Sequence, residues 1–97
     1  MSTSLVWEDD AIEDRLNYFE WINQSNPTAA DEADKHIEDT ADLLMQNPFL
    51  GRESDDVDGV RVLIIRSLSL NIYYQENKNT IRIIRLLHQS RDISKLL

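Results

Sequence analysis

The chain has 97 residues, 41% of them hydrophobic, with two glycines, two prolines and no cysteine. This predicts one folded domain, residues 1–97, with a single modest core, and it excludes disulfides, thiolate catalysis and cysteine-held zinc or iron–sulfur clusters. The formal charge of −8 argues against a direct, specific nucleic-acid binder.

The N-terminus, MSTSLVWEDD, lacks the basic and apolar regions of a signal peptide. No apolar run reaches membrane-spanning length, so a cytoplasmic protein without membrane contact is expected. SLVW (4–7) is short and apolar and reads as an opening strand. From Glu8 the period becomes helical: Ala11, Ile12, Leu16, Phe19 and Ile22 fall on one face and Asp9, Glu13, Asp14 and Glu20 largely on the other. QSNP breaks this helix, and Asn26-Pro27 restarts one, with Asn as N-cap and Pro at the first helical position. The second helix runs to about Gln46 with a stripe of Ala30, Ala33, Ile37, Ala41 and Leu44. Its alanines predict close packing in an antiparallel helical hairpin. Asn47-Pro48 ends it, and NPFLGRESDDVDG (47–59) forms an acidic loop holding both glycines.

From Val60 the period changes to that of strands. VRVLII is β-branched and reads as a central strand. LSLNIYY alternates, with Leu68, Leu70, Ile72 and Tyr74 opposite Ser69, Asn71 and Tyr73. QENKN is a polar turn, TIRIIRLLH a last strand, and SRDISKLL either one helical turn or an extended piece. The order is β-α-α-β-β-β, an α+β domain with the helical hairpin on one face of a largely antiparallel sheet.

Charge divides along the chain. Residues 1–59 carry sixteen acids against Arg15, Lys35 and Arg52, a balance of −13, whereas residues 60–97 balance at +5. Such asymmetry marks a face for a charged partner. SDDVDGV has the start of a calcium-loop spacing at Ser54, Asp56, Asp58 and Gly59, but Ile65 stands where the bidentate glutamate belongs. It reads as a solvated loop, with no metal or cofactor implied. His36 reads as an exposed or edge residue. Among the aromatics, Phe19 and Tyr74 belong on apolar faces, which leaves Trp21 and Tyr73 for a binding surface. On a regular last strand Arg82 would point with Ile84, Leu86 and His88, and Arg85 with Ile81, Ile83 and Leu87. One of these arginines should then sit at an edge or pair with the acidic helices. The strand ends in His88, Arg91 and Asp92.

DDAIEDRLNYFEWI, the turn NPTAAD, the helix exit LLMQNPFLGRE, GVRVLIIR, IYY and IIRLLHQSRD together resemble, from about Ser4 to Leu97, the RelE/ParE superfamily of type II toxins. The resemblance implies a toxin neutralised by a cognate antitoxin, whose C-terminal segment wraps the helices and sheet in a hetero-oligomer. RelE-type members cleave mRNA in the ribosomal A site with basic residues, whereas ParE-type members poison DNA gyrase. Val62 and Ile64 stand where the RelE branch has lysines, and Asn71 where it has an arginine. A ParE-like, non-enzymatic inhibitor of gyrase is therefore the expected function. Its expected contacts to gyrase or antitoxin are Arg66, Arg85, His88, Arg91, Tyr73 and the tail ISKLL, with antitoxin covering an apolar seam at Trp21 and Phe49. The alternatives are a ribosome-dependent mRNA interferase rearranged around Arg66, Tyr73, His88 and Arg91, or a degenerate member that only binds antitoxin and autoregulates its operon.

Overall fold

In the computed structural model, which describes residues 3–91 and 93–96, β1 (Ser4–Trp7) leads into α1 (Asp9–Asn23) and α2 (Pro27–Gln46). Then follow β2 (Arg52–Glu53), β3 (Arg61–Ile65), β4 (Leu70–Asn77) and β5 (Thr80–His88). Asp92 and Leu97, expected in the terminal cluster and in ISKLL, lie outside the described residues. The strands form one sheet in the order β1-β5-β4-β3-β2. Three pairings are antiparallel, and β1 lies parallel to β5. The α+β architecture is as expected, with β2 added inside the acidic loop. Two residues are too few to show a period, and pairing with β3 makes them a strand.

Local chemistry explains the boundaries. Asn26 Oδ1 accepts the Ala29 N–H at 3.1 Å and Pro27 opens α2. The strand expected from Leu68 starts later, because Arg66–Leu68 form a 3₁₀ turn and Ser69 adopts a left-handed conformation at φ 55°. β4 runs on to Asn77, which shortens the polar turn to Lys78-Asn79, with Lys78 at φ 51°.

The helices cover one face of the sheet, where Ile37, Ala41 and Leu44 of α2 pack with Ile65, Leu70, Ile72, Tyr74, Ile81, Ile83 and Leu86. Tyr74, fully buried, donates its hydroxyl to the Pro48 carbonyl (2.9 Å) and accepts the Gly51 N–H (2.8 Å), pinning the loop after α2 to the core. Gly51 is required by that closeness: a Cβ there would lie 2.7 Å from the Val62 carbonyl. The reverse face carries a second, smaller cluster of Val60, Val62, Tyr73, Leu87 and Ile93, with Val57, Ile84 and Leu96 against it. Of the two forms open to the tail, it takes the helical one, a 3₁₀ turn over Ile93–Lys95 that closes this face.

Two expectations are corrected. β5 is not regular: Tyr73 pairs with Arg85 but Tyr74 with Ile83, so Ile84 is an extra residue at a β-bulge. The bulge switches the parity of the strand. Ile81, Ile83 and Leu86 therefore share the helix-side core while Ile84 and Leu87 face the reverse side. The apolar stripe of α1 is also not a core stripe as a whole. Only Ala11 is fully buried, and Ile12 and Leu16 are 52% and 53% exposed. At about 100° per residue, Ile12 and Leu16 lie well round the helix from Ala11, and the core takes Ala11 and Tyr18 instead.

Candidate functional site

Strand register gathers the cationic candidates at one end of the sheet. Ile65 pairs with Leu70, and Leu70 with His88, so the exits of β3 and β5 lie two strand spacings apart, about 10 Å. Arg66 opens the 3₁₀ turn directly after Ile65, and the Ser69 carbonyl accepts the Gln89 N–H at 2.9 Å, tying the two exits together. The Arg91 N–H returns to the His88 carbonyl at 2.9 Å. His88 Nδ1 accepts the Ser90 N–H at 3.1 Å and lies 2.8 Å from the Ser90 hydroxyl, a turn that leaves Nε2 as the ring nitrogen for an outside partner. Arg66, His88 and Arg91 are exposed, and neither arginine pairs with a carboxylate among the described residues. With Asp14, Asn17 and Tyr18 of α1, His88 and Arg91 border a cleft of about 240 Å³ floored by Leu70, Leu86 and Leu87. Burial pushes the Tyr18 hydroxyl above its usual pKa.

Arg85 is spent inside the fold. β1 pairs with β5 only as far as Ile83, and beyond it Asp14 of α1 takes over the open edge, accepting the Leu86 N–H at 3.0 Å. The same carboxylate binds Arg85 through both Nε (2.7 Å) and a terminal nitrogen (2.8 Å), in a pair about 15% exposed. The hydrogen bond that Arg85 donates to Asp14 outweighs burial and holds Arg85 above the ordinary guanidinium value. Arg82, exposed, reaches Glu8 at 3.1 Å. Both arginines thus pair with the acidic half, where a single pairing was expected.

Tyr73 is 6% exposed and belongs to the reverse-face core, which corrects its expected place on a binding surface. Its position in alternation with Ser69 and Asn71 read as solvent-facing only because the second core was not visible in the sequence. Its hydroxyl accepts from Asn71 Nδ2 at 3.1 Å. Val62 is buried beside it, and Ile64 lies at the surface. The three positions singled out by the resemblance are thus a core valine, an exposed isoleucine and an asparagine committed to a tyrosine. No histidine, aspartate or glutamate cluster suited to a metal occurs among the described residues.

A second surface was missed by sequence reasoning. Trp7, Ile12, Arg15, Leu16, Phe19 and Asp34 line an apolar groove of about 500 Å³ on the helical hairpin. Arg15 stacks over the Trp7 ring at 5.0 Å and forks onto Asp34 at 2.7 and 3.0 Å, with Glu38 at 4.0 Å. Phe19, expected in the core, is half-buried on this groove. The signal available was the width of the α1 stripe, since Ala11 and Leu16 stand about 140° apart round the helix, wider than the stripe a single core needs.

Trp21 (69% exposed) stacks obliquely on Tyr18 at 6.2 Å in the last turn of α1. Phe49 (60% exposed) lies beyond the far end of α2 under the Arg61 guanidinium, 4.8 Å from its ring. The twenty residues of α2 span about 30 Å, so Trp21 and Phe49 do not form the single seam expected of them.

Comparison with known proteins agrees with this architecture. The family described as ParE toxin of type II toxin-antitoxin system, parDE, matches residues 5–93. Among solved structures, one described as the chromosomal ParDE TA system from P. aeruginosa superposes with a TM-score of 0.80 at 26% identity, covering 90% of this chain and 96% of that one. No curated protein sequence matches the chain.

Proposed function

The chain belongs to the ParE toxin family of type II toxin–antitoxin systems, and from that premise we propose that it inhibits DNA gyrase by binding, without catalysis, until a cognate antitoxin covers it. No described helix is long and apolar enough to cross a membrane, and the proposed site of action is the cytoplasm. One observation carries the non-catalytic reading. The end of the sheet presents Arg66 and Arg91, which no carboxylate pairs among the described residues, with His88, while the positions that would complete a nuclease hold Val62, Ile64 and Asn71. Phosphodiester cleavage needs charge aimed at the developing oxyanion and a base in reach, whereas holding an acidic protein surface needs only the cations. In this reading Arg66, His88, Arg91 and the tail turn form the target contact, and Arg85 supports it indirectly by fixing α1 against β5.

The test is expression of the chain without antitoxin, followed by supercoiling and cleavage assays with purified gyrase. The reading expects loss of supercoiling and trapped cleavage complexes, both relieved in an Arg66→Ala/Arg91→Ala double variant that melts like the parent. Codon-phased cuts in translated message would instead establish the ribosome-dependent nuclease. Normal growth on expression would leave only antitoxin binding.

A further inference from the structure

We propose that the groove on α1 receives a cationic amphipathic segment of the partner chain, with apolar anchors flanked by lysine or arginine. The partner's identity as antitoxin rests on the reading above; the charge of its segment rests on the groove alone.

The floor of the groove is apolar and open. Ile12 and Leu16 leave half their surface to solvent, beside Phe19 and Trp7. The lining itself holds one ion pair, Arg15 with Asp34, and further carboxylates flank it on both helices. On the α2 side Asp34, Glu38 and Asp42 recur at intervals of four, one above the next on a single helix face. All three act on the same group, raising the pKa of Arg15 through the Asp34 hydrogen bond first and through the fields of Asp34, Glu38 and Asp42. One guanidinium cannot neutralise three carboxylates, and only Asp34 has it at bonding distance. On the α1 side the outer flank carries Asp9, Glu13 and Glu20, all exposed. Together α1 and α2 hold eleven carboxylates against Arg15 and Lys35, a net charge of −9.

An occupant must match both features. A second copy of this chain would set one acidic helical hairpin against another and is disfavoured by like-charge repulsion. An acidic segment would meet the same repulsion even if its apolar anchors fitted. A segment with aliphatic anchors and flanking cations satisfies floor and walls together, in the manner of an amphipathic peptide laid into a groove. Charge then selects the partner, since segments with the same anchors and opposite flanks are sorted by Glu38, Asp42, Asp9, Glu13 and Glu20, which no described cation holds at hydrogen-bonding distance.

The measurement is a fluorescence titration of the full chain carrying Trp21→Phe, which leaves Trp7 in the groove as the only tryptophan. Two synthetic peptides share one leucine spacing, one with lysine and the other with glutamate at the flanking positions. The lysine peptide is expected to bind at least roughly tenfold tighter at about 0.1 M salt, and the preference to shrink severalfold toward 1 M, where the screening length falls to about 3 Å. Leu16→Asp should abolish binding. Glu38→Gln with Asp42→Asn should weaken the lysine peptide severalfold and leave the melting temperature unchanged. Equal or tighter binding of the glutamate peptide, no binding of either, or lysine-peptide binding that survives Leu16→Asp overturns the proposal. Growth arrest and its rescue by the antitoxin test the toxin reading separately. A chain that arrests growth yet prefers the glutamate peptide loses this inference and keeps that reading, and the converse pair of results does the reverse.

Discussion

The two helices of this protein have similar apolar stripes and opposite uses for them. In α2 every member of the stripe, Ala30, Ala33, Ile37, Ala41 and Leu44, is buried. In α1 only Ala11 is, and Ile12 and Leu16 remain half exposed over the groove. What fastens α1 is polar: Asp14 to Arg85 and to the Leu86 N–H, and Arg15 to Asp34. The difference shows how a helix can be held on a sheet while its apolar side stays available. Dispersion and burial anchor α2, and charge-assisted hydrogen bonds in a half-buried setting anchor α1.

The strongest way to break the comparison is in α2. Leu44→Ala removes a fully buried side chain from the main cluster and is expected to cost about 2–5 kcal/mol of unfolding free energy, read from urea denaturation. A cost below about 1 kcal/mol would mean that α2 is not the structural helix.

Next in size is the polar clamp of α1. Asp14→Ala leaves the Arg85 guanidinium and the Leu86 N–H without their acceptor in a site about 15% exposed. The expected loss is about 1–3 kcal/mol, with faster hydrogen exchange at Leu86. If stability holds and Leu86 stays protected, α1 is anchored by its apolar contacts after all.

Tyr74 supplies a smaller effect with a pH signature. Tyr74→Phe deletes the bonds to Pro48 and Gly51 and should cost about 1–2 kcal/mol near neutral pH. Burial chiefly raises the phenol's pKa, with the Gly51 bond lowering it. A group whose folded pKa is raised gives stability that is complete below its unfolded value, about 10, and is lost as pH climbs through the folded one. The parent should therefore lose stability above pH 10 more steeply than the phenylalanine variant. Equal alkaline slopes would sink the assignment.

How much of this was legible depends on whether the signal was local. SLVW, Asn26-Pro27 and TIRIIRLLH became β1, the start of α2 and β5 at the residues expected, because caps, proline and alternation act within a few positions. The bulge at Ile84 was not legible, since it depends on how β4 and β5 meet. Missing it misassigned Leu86, Leu87 and His88 to faces. The burial of Tyr73 depended on the tail folding over the reverse face, a contact between residues twenty apart in sequence. For the site, the gathering of Arg66, His88 and Arg91 at strand exits followed from the meander. The capture of Arg85 by Asp14 required knowing where β1 stops.

The smallest stability effect is the one that separates the two helices most cleanly. Leu16→Asp places a charge on a residue already 53% exposed, so the unfolding free energy should move by no more than about 0.5 kcal/mol. The neighbouring wall is anionic, which makes that small change a destabilisation rather than a gain, and added salt should erase it. If Leu16→Asp instead costs as much as Leu44→Ala, the side chain is part of the core and the groove closes in solution. If it is silent in the melt, the apolar side of α1 contributes nothing to holding the fold. The large residues of the groove, Ile12, Leu16 and Phe19 of α1 with Trp7 of β1, then have their use in a surface that another chain must cover.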